Sequence, residues 1–330
     1  MRVLVTNDDG VGSPGLHALA RVLVDGGHDV IVVAPDREMS GSAAAIGQVH
    51  VEEGIDAERV ELPRLDGVPA YAVAGPPGLC VLTARLGGFG DPPDLIVSGI
   101  NPGCNTGRAV LHSGTVGAAL TGANFGCRGL AVSIDVSALH LHEQARGPAR
   151  DTTPAPTTAW AGGAGGTISV GDGDRPRADV VESSEMGDDP GARGRLRDVS
   201  GVAFDRPAEW DTAAAVAASA VSWLGNEAPP CTVLNINVPN LALDRLEGAR
   251  SATLAPFGTV RSSVVEAAPD GGRLQIEFRP TETELPPDSD TAIVAQGFVS
   301  VTALSGIGID ERVDVSAVLD LVPTEDRRTA

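Results

Sequence analysis

The chain opens on a run that leaves little choice of fold. Arg2-Val3-Leu4-Val5-Thr6 is apolar and β-branched, and it stops on Asn7-Asp8-Asp9-Gly10. A near-continuous apolar run of this length reads as a strand covered on both faces, the kind found in parallel sheets. The carboxyl edge of such a sheet is where α/β proteins place their ligands. Two neighbouring carboxylates there disfavour each other's ionisation unless a cation joins them, and oxygen ligands of this type suit a divalent metal.

A doubly wound pattern continues downstream. Pro14 to Leu23 reads as a helix with Ser13 as N-cap, Pro14 in the first turn and Gly26-Gly27 as the stop. Strands are expected at 29–34, 68–74, 94–101, 129–134 and 232–238, with helices over 78–86, 114–125 and 210–224. Residues 250–304 alternate apolar and polar side chains and read as extended, hairpin-like structure. Between about 138 and 200 the chain is rich in Gly, Pro, Thr, Asp and Arg with little periodicity, which predicts a largely disordered insertion. The tail beyond Pro323 reads as frayed.

The charge of −20 excludes a surface built to neutralise nucleic-acid phosphates, although a small phosphorylated substrate remains compatible. All 24 basic residues are arginine. The missing lysine excludes a P-loop and the receiver domains that pair an acidic pocket with a lysine. Four cysteines (Cys80, Cys104, Cys127, Cys231) show no metal-ligand spacing and read as reduced thiols. No apolar run is long enough to span a bilayer and the N-terminus lacks a signal-peptide pattern, so a soluble, cytoplasmic protein without a membrane or a stable nucleic-acid partner is expected.

Three polar clusters follow different strands and converge on one sheet edge. After Asp8-Asp9, the second is Ala34-Pro35-Asp36-Arg37-Glu38-Met39-Ser40-Gly41-Ser42. The third runs from Ser98 through Asn101 and Asn105 to Leu111-His112-Ser113-Gly114-Thr115. Ser113 to Thr115 opens a helix, and free N–H groups with two hydroxyls make either an N-cap or a phosphate cradle. Gly10, Gly12 and Gly15 spell GxGxxG, with Asp36 about twenty residues on, which raises a dinucleotide site. The intervening Asp8 and Asp9 would repel a pyrophosphate, and a tight turn explains the first glycines equally. His140-x-His142 lacks a third ligand in the sequence, while Trp160, Trp210 and Trp223 are not interleaved with basic residues.

Taken together, Val-Thr-Asn-Asp-Asp-Gly, Ala-Pro-Asp-Arg-Glu-x-Ser-Gly, Val-Ser-Gly-Ile-Asn-x-Gly and Ser-Gly-Thr-Val-x-Ala-Ala resemble the SurE family of metal-dependent 5′-nucleotidases. Asp211 to Ala215, Leu234-Asn235-Ile236-Asn237-Val238-Pro239 and Gly297 to Thr302 extend the likeness, which covers about 1–135 and 205–305. The resemblance implies a three-layer α/β/α, Rossmann-like, mostly parallel sheet with a C-terminal extended β arm. It divides the chain into a catalytic domain over 1–245 and an arm with oligomerisation segment over 246–330. It further implies Asp8, Asp9, Ser40 and Asn101 as ligands of one Mg²⁺ or Mn²⁺ per subunit. Asn105, Ser113, Gly114 and Thr115 would bind the substrate phosphate, and Asp8 and Asp9 would be catalytic, with Asp8 also steering the water. A homodimer or homotetramer follows from the arm. His112, Cys104 and Ala44 depart from the family pattern. The activity implied is hydrolysis of nucleoside 5′-monophosphates to nucleoside and phosphate. The rival readings are an NAD(P)-dependent oxidoreductase using Gly10, Gly12 and Gly15, and a non-catalytic nucleotide-binding protein of the same fold.

Overall fold

The computed structural model describes residues 1–47, 54–136, 208–256 and 285–306 with their side chains, and the backbone alone of 168–170, 260–266 and 274–280. The expected insertion at 138–200 lies outside these residues except for one three-residue strand, as do the tail beyond 323 and His140 and His142.

Alternation along the first strands decides the layering. β1 (Arg2–Thr6) sends Val3 and Val5 into one core and Leu4 into another. β2 (Asp29–Pro35) splits in the same way, with Val30 and Val32 on one side and Ile31 and Val33 on the other. All seven of these side chains are at most 4% exposed. Burying each contributes about 1.5–3 kcal/mol relative to exposure, so only a sheet covered on both faces satisfies the pattern.

Helices supply the two covers. α1 (Pro14–Asp25) starts where Ser13 Oγ accepts the Leu16 N–H, with Pro14 at its first position. It buries Leu16, Leu19, Ala20 and Leu23, a single face at helical spacing. This face joins α4 (Trp210–Asn226), whose Ala213, Ala214, Ala217, Val221 and Leu224 close the same core. α2 (Pro77–Arg85) and α3 (Gly114–Asn124) cover the opposite face, where Cys80, Val81, Val116 and Ala119 are buried. The expected helices are therefore present, with ends shifted by one or two residues.

The remaining strands are β3 (Ala57–Arg59), β4 (Ala70–Val73), β5 (Leu95–Pro102), β6 (Arg128–Asp135), β7 (Ile168–Val170), β8 (Val233–Pro239), β9 (Ala249–Ser251), β10 (Val260–Glu266), β11 (Leu274–Pro280) and β12 (Val299–Leu304). Nine of the twelve form one sheet in the order β3-β4-β2-β1-β5-β6-β8-β12-β9. The six from β4 to β8 run parallel, and β12 is antiparallel to β8. The expected three-layer, mostly parallel α/β architecture is thus observed.

The stretch 250–304 is less uniform than its alternation predicts. β10 and β11 do form an antiparallel hairpin outside the main sheet, with β7 added to its edge. β9 and β12 instead complete the main sheet, and a short helix, α5 (Asp290–Ala295), lies between the hairpin and β12. Six residues are too few for a periodic signal, and Ser289 is the cap that starts this helix by accepting the Ala292 N–H.

The topology creates one crevice. From β1 the chain first moves to β2 and β4, then crosses back through α2 to β5 on the other side of β1. Parallel pairing sets Thr6 opposite Ser98, so the chain leaves β1 as Asn7-Asp8-Asp9 beside the end of β5. Such a switch point is where open α/β sheets bind ligands.

Candidate active site at the β1–α3 junction

Asp8 is almost fully buried, at 4% exposure, and is held from three directions. Its Oδ1 accepts the Thr115 hydroxyl at 2.5 Å and its Oδ2 accepts the Gly114 N–H at 3.1 Å. Its backbone carbonyl accepts the Met39 N–H at 2.7 Å, which ties the loop after β2 to the end of β1. Burial pushes the Asp8 carboxyl above its ordinary range, while the Thr115 hydroxyl and the N–H groups at the start of α3 act in the opposite direction.

Asp9 is treated differently. Its Oδ2 is enclosed and has no hydrogen-bond partner. Burial first, and then the charges of Asp8 and Glu38, hold its carboxyl well above the usual carboxylate range. No arginine relieves this pair: among the described residues Arg37 turns to Asp36 at 3.1 Å, Arg2 to Asp29 and Arg21 to Asp211. An unpartnered acceptor beside a second buried carboxylate fits a cation. No three His, Cys, Asp or Glu side chains gather as a metal cluster among the described residues, so a cation here would rest on two carboxylates completed by neutral oxygens. That donor set suits a hard ion such as Mg²⁺ or Mn²⁺ over zinc.

The other expected ligands stand on neighbouring loops. Asn101 lies at the end of β5, where the register to β6 shifts between Ser98 and Asn101. Its amide nitrogen donates to the Gly103 carbonyl at 2.6 Å, leaving the amide oxygen for a cation. Ser40 is exposed and donates to Glu38 at 3.0 Å. The structure encloses a different hydroxyl: Ser42 Oγ has no partner, and a Cβ added to Gly114 would lie 2.6 Å from it and 2.7 Å from Asp8 Oδ2. Only a glycine lets the start of α3 approach both groups. Ser42 belongs to the loop singled out in the sequence, but no spacing rule distinguishes it from Ser40.

The expected phosphate-side residues divide into two groups. Ser113 caps α3 by accepting the Val116 N–H at 3.1 Å, the plainer of its two readings, and keeps its own hydroxyl proton. Gly114 and Thr115 direct their donors to Asp8. Asn105 is held by other partners, on β6 and β8: its Nδ2 donates to Ser133 Oγ and its backbone meets Asn235 and Asn237.

The GxGxxG reading loses its physical basis. Gly10 has φ +95° and makes the turn after the carboxylates. A Cβ on Gly15 would sit 2.1 Å from the Ile100 carbonyl oxygen, so this glycine lets α1 pack on β5. A Cβ on Gly12 would meet nothing within 4 Å. Two of the three glycines thus have structural duties. A cavity of about 470 Å³ between α1 and α4, lined by His17, Arg21, Arg64 and Trp210 among others, contains none of the candidate residues. His17 is anchored there by a bond from its ring to the Val11 carbonyl, as a structural histidine would be.

Residues 3–162 match the family described as "Survival protein SurE". A protein named 5′-nucleotidase SurE from Dehalococcoides mccartyi is 47% identical over 137 residues, 42% of this chain and 50% of the relative. Proteins of the same name from Xanthomonas oryzae pv. oryzae (44% over 134 residues, 41% of this chain and 48% of the relative) and Thermosynechococcus vestitus (40% over 153 residues, 46% and 55%) are similar in the same way. The chain spans about half the length of the curated relatives it matches. Over nearly the whole fold it is similar to the crystal structure of SurE protein from Aquifex aeolicus, with a TM-score of 0.61 at 24% identity, covering 97% of this chain and 98% of that one. The residues that build β1, the second loop, β5 and the start of α3 all fall within 3–162, the stretch that is similar to the SurE family.

Proposed function

We propose that this protein is a metal-dependent phosphomonoesterase that hydrolyses nucleoside 5′-monophosphates to nucleoside and phosphate. The observation that carries this reading is the enclosed, unpartnered Asp9 Oδ2 beside Asp8, at the point where α3 begins. The name 5′-nucleotidase SurE borne by similar proteins supports the substrate class.

Asp8, Asp9, Ser40 and Asn101 would hold one Mg²⁺ or Mn²⁺. When bound, the cation supplies Lewis-acid polarisation of the phosphoryl group and a lowered pKa for the attacking water. The rest falls to the protein. Asp8 spends its carboxylate oxygens on Gly114 and Thr115 and is thereby held in one orientation. The steering of the attacking water stays with Asp8, because its neighbour Asp9 has the enclosed, unpartnered Oδ2 to give to the cation. Asn105, Ser113, Gly114 and Thr115 would bind the phosphate: the Ser113 hydroxyl and the second N–H of the Asn105 amide have a proton to give, whereas the Gly114 N–H and the Thr115 hydroxyl are given to Asp8 and would turn from it to the substrate. Donors fixed in advance at a helix N-terminus stabilise charge developing on the equatorial oxygens without reorganising.

The reading includes a homodimer or homotetramer in the cytoplasm. It is supported by the β10–β11 hairpin outside the main sheet, and by the finding that no helix among the described residues is long and apolar enough to cross a membrane.

The test is phosphate release from purine and pyrimidine, ribo and deoxyribo, 5′ and 3′ monophosphates, with and without chelator. Release from the 5′ esters that needs the metal, and that Asp8→Asn abolishes while the fold survives, is expected. Full activity of Asp8→Asn with added Mn²⁺ would overturn the assignment, and nucleotide binding without turnover would favour a sensor of the same fold.

A further inference from the structure

β8 carries an alternation that packing does not explain. Leu234, Ile236 and Val238 enter the core under α1 and α4, as an inner strand should. Asn235 and Asn237, on the opposite face, are equally buried at 0% exposure, where apolar residues would ordinarily stand. Both amides converge on a single residue. Asn237 Oδ1 accepts the Asn105 N–H at 2.8 Å, and Asn237 Nδ2 donates to the Asn105 carbonyl at 3.1 Å. Asn235 Nδ2 donates to the same carbonyl at 2.8 Å. From β6, Ser133, the register partner of Asn237, accepts the Asn105 side-chain N–H at 2.8 Å.

We propose that Asn237, seconded by Asn235, is a positioning residue that fixes the backbone of Asn105 and thereby aims its amide at the substrate phosphate. The inference rests on the phosphatase reading, in which Asn105 is a phosphate ligand. Asn237 imitates a neighbouring peptide, satisfying both backbone groups of Asn105 where no strand can reach. The loop has a second anchor two residues on, where the Gly107 N–H donates to the buried Asp290 at 2.8 Å. Loss of Asn237 therefore releases Asn105 without releasing the whole loop. Fixed first contacts and a supporting shell behind them are what a charge-stabilising site requires, because a misplacement of about 1 Å costs up to about 100-fold in rate.

The experiment compares wild type, Asn237→Ala, Asn105→Ala and the double variant in the full, metal-loaded chain. It measures kcat/KM on a nucleoside 5′-monophosphate and hydrogen exchange at the Asn105 amide. Asn237→Ala is expected to speed exchange at Asn105 by about tenfold or more and to lower kcat/KM by a similar factor. In the Asn105→Ala background the same change should lower kcat/KM less than about threefold, because the group being aimed is already gone. A merely structural residue would cost the same factor in both backgrounds, and that result overturns the proposal, as does unchanged exchange at Asn105. Where Asn237→Ala does not fold, Asn235→Ala removes one bond of the three and should give the same non-additive pattern at a few-fold; additivity there overturns it. A wild-type protein inactive on every monophosphate would refute the phosphatase reading and with it the aiming role, while the exchange arm still reports whether the clamp itself exists.

Discussion

Thr115 Oγ1 donates to Asp8 Oδ1 at 2.5 Å, joining the residue that follows the Gly114 opening of α3 to a carboxylate 107 positions earlier. The contact links the end of the first strand to a helix formed a third of the chain later. It also determines how the two acidic neighbours differ: Asp8 is oriented by donors, and Asp9 is left with an acceptor to offer.

Removing that hydroxyl isolates its contribution. Thr115→Val keeps the shape and deletes the donor, and a hydrogen bond to a charged group is worth about 1.5–3 kcal/mol. We expect kcat/KM for phosphate release to fall about 10- to 100-fold, with Thr115→Ser recovering most of the loss. Steady-state kinetics with saturating metal decide the matter, and equal activities of Thr and Val would contradict the role.

The start of α3 tolerates no side chain. Gly114→Ala would drive its Cβ to 2.7 Å from Asp8 Oδ2 and 2.6 Å from Ser42 Oγ. Overpacking of this kind costs about 1–3 kcal/mol and displaces the carboxylate. Thermal unfolding should show that loss together with near-complete loss of activity. Gly12→Ala is the contrasting case: its Cβ meets open space, so stability should change by less than about 0.5 kcal/mol with activity retained. A Gly12→Ala variant that loses function would revive a ligand at that loop.

Asp9 makes stability without metal depend on pH in a defined direction. Its folded carboxyl is raised well above the unfolded value by burial, Asp8 and Glu38. The folded state then keeps a proton that the unfolded chain releases, so stability falls as pH rises from about 4 through the folded pKa and is level above it. In chelator, melting temperatures should decline across that window, and Asp9→Asn should flatten the decline. Added Mn²⁺ should stabilise wild type at neutral pH and leave Asp9→Asn unmoved. Denaturation scans over a pH series with and without metal test both statements.

The thiols should separate by reactivity. Burial pushes the Cys80 thiol up to about 12, and Cys104 and Cys127 are also raised by burial, whereas Cys231 is exposed. Because the thiolate is the reactive form, alkylation of the native protein at mildly alkaline pH should label Cys231 first and leave Cys80 until unfolding. Rapid labelling of Cys80 in the folded state would show that α2 does not pack as described.

Much of the fold was legible because its signals are local and redundant. α1 carries a cap, a proline at its start, a two-glycine stop and a periodic apolar face, and all four agree with the structure. α5 was not legible, since six residues flanked by alternating segments carry no period. β9 and β12 read as part of an extended arm, yet they pair with the main sheet through partners that periodicity cannot name. At the site, Asp8 and Asp9 stood out because two carboxylates ending an apolar strand are costly. Ser42, Glu38, Asn235 and Asn237 fell within motifs of the sequence but carried no role there, because a serine in a turn or an asparagine in a strand is ordinary until its neighbours are known.

By itself the sequence determined which residue types meet at the carboxyl edge of a parallel sheet, because strand and helix periods, caps and apolar runs are properties of neighbouring residues. Only the tertiary structure decided how the work is divided among them. Asp8 is held by Gly114 and Thr115, Asp9 keeps one carboxylate oxygen without a partner, and Asn105 is clamped from β8. Those distinctions rest on hydrogen bonds spanning about a hundred residues or more and on which oxygen is shut away from water, and both come into being only when distant segments pack.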